Sequence, residues 1–202
     1  MAIKPILFNT KMVRAILDGR KDATRRIVKG FIPDDAVWGY TAFTPKGYIS
    51  CRGTFADGYG EKFFKLPCES GDILYVRETW MDYAGLTMYK ADCDIYRLDS
   101  LNFAGFVWHP SIHMPKEAAR IWLKVTNVRV ERLQKIAPQG AWKEGARCSC
   151  LHPVPDCAGN KTAFVNIWNS TIKKSDIDRY GWDANPWVWV IEFERCEKPE
   201  GV

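Results

Sequence analysis

Gly19-Arg20-Lys21-Asp22-Ala23-Thr24-Arg25-Arg26 is the stretch on which the reading of this 202-residue chain depends. Ahead of it, Thr10 to Leu17 sets Met12, Val13, Ile16 and Leu17 on one helical face, with Thr10 as N-cap and Gly19 as stop. The stretch then reads as a loop or turn, and the next extended segment begins at Ile27 and Val28. In a strand, residues three apart face opposite sides, whereas in a helix-like turn they lie side by side. On that geometry the Lys21 amine reaches the Thr24 hydroxyl. Burial and the charges of Arg20, Arg25 and Arg26 would lower the lysine pKa and turn the amine into a base for the hydroxyl. The same residues also fit a plain solvated loop, because cations are favoured near a helix C-terminus.

Charge is uneven along the chain. The total is +5, from 29 Lys and Arg against 24 Asp and Glu. Residues 1 to 30 hold eight basic and two acidic residues, hence +6, so the remainder carries −1. The positive charge gathers around the candidate site, which favours an anionic or nucleic-acid-like ligand. Hydrophobic residues make up 47% and aromatics 13%, with nine Trp, and one well-buried core is expected. No apolar leader follows the first basic residues and no run is long enough for a membrane span, so a cytoplasmic protein is expected. Seven Cys, an odd number, then read as thiols or metal ligands.

Gly19, Lys21 and Arg26 fit the Gly-x-Lys-x-x-x-x-Arg signature, and by it the chain resembles the ASCH domains of the PUA-like β-barrels. Many members carry Glu where this chain has Thr24. Thr at that place is similar to the branch of small bacterial N(4)-acetylcytidine amidohydrolases. The resemblance extends over Gly71 to Val76, Val128 to Leu133 and Val190 to Phe193, in the family's order. Trp108 to Pro115 and Asn185 to Trp187 resemble segments of phage and prophage proteins of this family, which places the chain in a bacterial or phage-infected host cytoplasm. The resemblance implies an α+β fold: one PUA-like (ASCH) β-barrel over residues 1–202 with flanking helices, and insertions at about 31–70, 81–114 and 146–160. It also implies Lys21 as general base, Thr24 as nucleophile and Glu144 as proton donor, with no catalytic cofactor. Arg25 and Arg26 are the basic ligand contacts of the motif.

Between these anchors the chain is irregular. Tyr48-Ile49-Ser50-Cys51 is expected to pair with Trp38 to Phe43, between turns at Pro45-Lys46-Gly47 and Ala56-Asp57-Gly58. Gly71-Asp72 leads into a strand at Ile73 to Val76, and Glu78 and Trp80 at its end suit a pocket rim, Trp80 to stack on a base and Glu78 to accept from an amine. A surface ion pair beside a core Trp is the plainer reading. A second excursion carries Tyr89 to Tyr96. Ser111 and His113 invite a hydrolase pairing but lack an orienting carboxylate, so ligand contact or scaffold is the expectation. Ile121, Leu123 and Val125 share a face and Val128 and Val130 have the other parity, which predicts a bulge near Thr126-Asn127. Pro138 opens a helix that Gly145 closes, with Glu144 in its last turn, where an anionic carboxylate is disfavoured and a proton donor is suited. Glu78 is the reserve acid.

Cys148-Ser149-Cys150-Leu151-His152 and Cys157 put three thiols and an imidazole within ten positions. Cys148, Cys150, His152 and Cys157 would close a tetrahedral structural zinc site, although free thiols or a redox role fit the same spacing. Phe164, Ile167, Trp168 and Ile172 form one helical face. The expected activity is hydrolysis of an N-acylated nucleobase or nucleoside such as N(4)-acetylcytidine. A non-catalytic nucleic-acid-binding module and a ribonuclease are the alternatives.

Overall fold

A computed structural model of the chain describes residues 1–83, 85–93 and 106–201. Part of the second excursion, including Tyr96, lies outside the described residues. The first strand, β1 (Ile3–Leu7), runs into helix α1 (Thr10–Leu17). Asn9, not Thr10, caps that helix: its Oδ1 accepts the Met12 N–H at 2.9 Å, as expected of the stronger capping side chain one position earlier. Gly19 ends the turn at φ 67°, where a left-handed residue is required.

The basic stretch divides where a single loop is expected. Arg20 and Lys21 fold back onto the helix end through N–H bonds to the Ala15 carbonyl, and strand β2 (Ala23–Ile27) starts four residues earlier than the sequence indicates. The charges of Arg25 and Arg26 hide the strand from a hydropathy reading, because both guanidinium groups find partners inside the fold.

Strands β6 (Ile73–Arg77), β9 (Trp122–Arg132) and β10 (Trp187–Cys196) complete a five-stranded sheet in the order β1-β6-β9-β10-β2. Only the β1–β6 pair is parallel; β6–β9, β9–β10 and β10–β2 are antiparallel. The bulge sits on β9 as expected: Glu192 opposes Asn127 and Phe193 opposes Val125, leaving Thr126 as the extra residue. The fold is therefore mixed α+β. No strand pairing joins edges β1 and β2 among the described residues, so the expected barrel is not closed by backbone bonds. A side chain bridges the two edges, Arg26 Nη2 donating to the Leu7 carbonyl at 2.7 Å.

Strand β10 lies between two cores, which explains its near-continuous apolar run. Trp189, Ile191 and Phe193 join Phe8, Val13, Ile16, Leu123 and Val125 on one face. Val188 and Val190 join Leu133, Ile136, Phe164 and Trp168 on the other. Each such side chain contributes about 1.5–3 kcal/mol by burial. The second core is built by α2 (Pro138–Lys143) and α3 (Gly159–Thr171); a short helix α4 (Ile177–Tyr180) precedes β10.

The first insertion forms a separate three-stranded sheet, β3 (Val37–Gly39), β4 (Tyr48–Phe55) and β5 (Gly58–Lys65). The expected Trp38–Cys51 pairing is present, and β5, unforeseen, pairs with the full length of β4. Strands β7 (Trp80–Tyr83) and β8 (Leu86–Tyr89) form a small hairpin. No helix among the described residues is long and apolar enough to cross a membrane.

Candidate active site

Strand β2 is an edge of the large sheet, and its free edge borders the site. The Phe193 N–H bonds the Asp22 carbonyl and the Val28 N–H bonds the Trp187 carbonyl. Antiparallel bonding alternates along a strand, so even-numbered positions of β2 bond β10 and odd-numbered positions turn their N–H and C=O outward. The Ala23 carbonyl accordingly receives the Lys21 Nζ at 2.7 Å, and the Arg25 N–H is left on the open edge. Thr24 pairs with Ile191 and lies 1% exposed.

Lys21 does not sit beside Thr24 on a helical turn. Its amine is buried and donates to Glu144 Oε2 at 2.6 Å and to the Glu144 carbonyl at 3.2 Å, besides Ala23. Burial holds the amine below the ordinary lysine value; the Glu144 carboxylate opposes this, and Arg26 and Arg25 reinforce it. Glu144 is brought there by the end of α2. It occupies the C-cap position, and Gly145 at φ 84° turns the chain so closely past Lys21 that an added Cβ would lie 3.4 Å from the Lys21 Cβ. The register is tightened by the Asp22 N–H bond to the Lys143 carbonyl.

Glu144 is not a lone carboxylate. Arg25 Nη1 meets its Oε1 at 3.2 Å, and Arg25 Nη2 continues to Glu131 Oε1 at 2.7 Å. Arg129 then joins Glu131 to Glu192, and Lys143 closes the series on Glu192. Alternating charges thus run along the face of the sheet that carries Val188 and Val190. Sequence reasoning gave Glu131 no role, though it lies within the stretch from Val128 to Leu133 on which the resemblance was drawn.

Thr24, Arg25, Arg26 and Glu144 line one cavity of about 200 Å³, with Leu7, Asn9, Met12, Phe164, Ile167, Trp168 and Thr171 completing its walls. Asn9, Met12, Glu144 and Ile167 also border an adjoining cavity of about 320 Å³, where Lys11, Arg14 and Arg20 supply charge. The Thr24 hydroxyl makes no hydrogen bond to the other described residues, so it is free for a ligand. Asn9 was missed in the sequence although its place before a helix marks it as a cap; the α3 residues read only as core.

Glu78, Trp80, Ser111 and His113 line neither cavity. Glu78, 1% exposed, is held by Arg120 at 2.9 and 3.2 Å, and Arg120 also binds Asp92. That commitment removes the reserve acid from the site. Trp80 bridges to His109 by backbone bonds, with rings 5.1 Å apart. Ser111 and His113 form a short turn that delivers the fully buried Met114, whose carbonyl accepts from Arg77 and whose sulfur accepts the Glu78 N–H. These four residues brace the end of β6, three strands from β2.

The thiols of Cys148, Cys150 and Cys157 lie within 4.8 Å of one another, close enough to share one metal ion. His152 is exposed and stands outside the group. Hydrogen bonds from the neighbouring thiols pull Cys148 down and push Cys150 up to about 12.

No model of a known protein family matches the chain, and no curated protein or solved structure matches it.

Proposed function

We propose that the protein is an amidohydrolase acting on an N-acylated nucleobase or nucleoside of the N(4)-acetylcytidine type, on an ASCH, PUA-like fold. The observation that carries this reading is one cavity lined by Thr24, Arg26 and Glu144, with the Lys21 amine 2.6 Å from the Glu144 carboxylate. Lys21, as neutral amine, takes the Thr24 proton, and the hydroxyl oxygen attacks the acyl carbon. Passing one proton from Lys21 to Glu144 prepares both partners at once, an amine base and a carboxylic acid. The oxyanion is held by the outward Arg25 N–H, the residue after the nucleophile, and by Arg26. Glu144 then protonates the departing amine. Water hydrolyses the Thr24 ester, giving a carboxylate and the free base. The cysteine trio holds a structural zinc in this reading, apart from the reacting atoms. The two adjoining cavities suit a nucleoside, base in the inner and sugar in the outer.

Nucleic-acid binding without chemistry has less support from the site. The Arg25 guanidinium is engaged by two carboxylates, so a phosphate there would have to displace existing partners. The deciding experiment is incubation with N(4)-acetylcytidine and chromatography of the products, wild type beside Thr24→Ala. Cytidine released by wild type alone supports the reading; its absence with wild type, over a panel of N-acyl nucleosides, removes it.

A further inference from the structure

Two segments wall the candidate cavities besides α1 and β2. One ends α2 and supplies Glu144 and Gly145; the other is α3, which supplies Phe164, Ile167, Trp168 and Thr171. Cys148 lies four residues after Glu144, and Cys157 two residues before α3 begins at Gly159. The thiol trio therefore stands where the two walls meet.

The junction is built for close approach. An added Cβ at Gly159 would fall 2.7 Å from the Cys148 Cβ, 3.6 Å from the Cys157 sulfur and 3.8 Å from the Cys150 sulfur, so only glycine lets the helix start against the thiols. Asn160, fully buried, organises both sides: its Oδ1 accepts the Cys148 N–H at 2.9 Å, and its Nδ2 donates to the Val154 and Pro155 carbonyls. Arg147, beside the first thiol, stacks over Trp142 and donates to the Arg20 carbonyl at 3.1 Å, adjacent to Lys21. The segment from Glu144 to Cys148 is thus tied at one end to Lys21 and at the other to the thiols. The loop from Ser149 to Asp156 carries exposed Leu151 and Val154 and has no buried apolar residue of its own, so its order depends on its anchors.

We propose that Cys148, Cys150 and Cys157 bind one zinc-class divalent ion as thiolates, and that this ion clips the Glu144 segment to α3, so that metal occupancy sets the order of the cavity wall. Thiolate sulfur is the ligand type that such an ion prefers over the carboxylates and carbonyls nearby, and binding releases the thiol protons to solvent. The fourth ligand comes from outside the trio. The clip is a positioning device, since no thiol lines the cavities. That it matters for turnover rests on the amidohydrolase reading; that it binds metal and orders the wall does not.

The test uses the reduced full-length protein and needs no substrate. Cobalt(II) titration of wild type is expected to give a thiolate-to-metal charge-transfer band saturating at one equivalent, and zinc is expected to displace it. Hydrogen exchange measured with and without zinc is expected to slow about tenfold in the first turns of α3 and across residues 144–148. Cys150→Ser, at an exposed position, is expected to keep the far-ultraviolet circular dichroism of wild type and lose both responses. No charge-transfer band with wild type, a band unchanged in Cys150→Ser, or metal uptake that leaves exchange in both segments unaltered would each overturn the proposal. Failure of turnover on acylated nucleosides leaves these measurements untouched, so the two ideas fall separately.

Discussion

Lys21 Nζ lies 2.6 Å from Glu144 Oε2, with the two side chains only 1% and 7% exposed, across 123 residues of sequence. Two charges withdrawn from water together are costly unless each is further satisfied. Here the amine has two carbonyl acceptors and the carboxylate has Arg25 as second donor. The pair therefore links the loop after α1 to the end of α2, where Glu144 lines both cavities and Lys21 lies behind it.

Breaking the pair from either side is expected to destabilise the fold unequally. Lys21→Met leaves Glu144 with Arg25 and should cost about 3 kcal/mol; Glu144→Gln leaves Lys21 with no carboxylate and Arg25 with Glu131 alone, and should cost about 4–5 kcal/mol. The double variant should be less destabilised than the sum, by a coupling of about 1–3 kcal/mol. Urea denaturation of the four proteins measures this cycle, and additive costs would mean that the two groups do not interact in solution.

Thr24 separates chemistry from stability. Thr24→Val keeps the shape and removes the hydroxyl, at a stability cost of about 1 kcal/mol, while deacylation should fall by at least about 10⁴-fold. Thr24→Ser retains the nucleophile and should retain measurable turnover. Equal rates for the valine variant and wild type would exclude the hydroxyl as attacking group.

Local signals in the sequence located α1, Gly19, the bulge at Thr126, the helix opened by Pro138 and the apolar run of β10, because each is set by neighbours a few residues apart. Strand β2 was not legible. Its Arg25 and Arg26 look like solvent-facing charge until Glu131, Glu144 and Leu7, all distant in sequence, supply their partners. The same limit applies at the site. Lys21, Thr24 and Glu144 were singled out by a resemblance, and the fold brings Lys21 onto Glu144 and sets Thr24 and Glu144 in one cavity, whereas Asn9 and the α3 side chains acquire their place only through packing. Glu78, Trp80, Ser111 and His113 carry the right chemistry for a pocket, but the fold spends them on bracing β6.

The buried amine predicts two pH responses of known sign. In the proposed mechanism Lys21 and Glu144 share one proton, so kcat/KM should fall with rising pH as the pair loses it, and the fall should set in below the ordinary lysine range because burial lowers the folded value. Stability follows from linkage. Between the folded value and that of the unfolded chain, about 10.4, the unfolded state holds the extra proton, so stability should rise with pH across that window and be flat in this respect below it. Denaturation midpoints over an alkaline pH series, wild type against Lys21→Met, report the slope; identical slopes would show that Lys21 titrates as an ordinary exposed lysine.

Gly145→Ala tests how tightly the acid is positioned. The residue holds φ 84°, and its new methyl group would meet Ala15 Cβ at 3.2 Å and Lys21 Cβ at 3.4 Å. Left-handed backbone and crowding together should cost about 1–2 kcal/mol. The strain acts on the one residue that joins Glu144 to the segment leading to Cys148, and its contacts lie on Lys21 itself. Turnover should therefore drop more than substrate binding, a fall in kcat at nearly constant KM, since the cavity residues from α3 and β2 are unchanged. The comparison is Gly30→Ala, also at positive φ (109°) but facing only Phe64 at 3.7 Å, which should lose similar stability and keep its kcat. Equal kinetic effects from the two substitutions would mean that the Gly145 turn does not set the Lys21–Glu144 geometry.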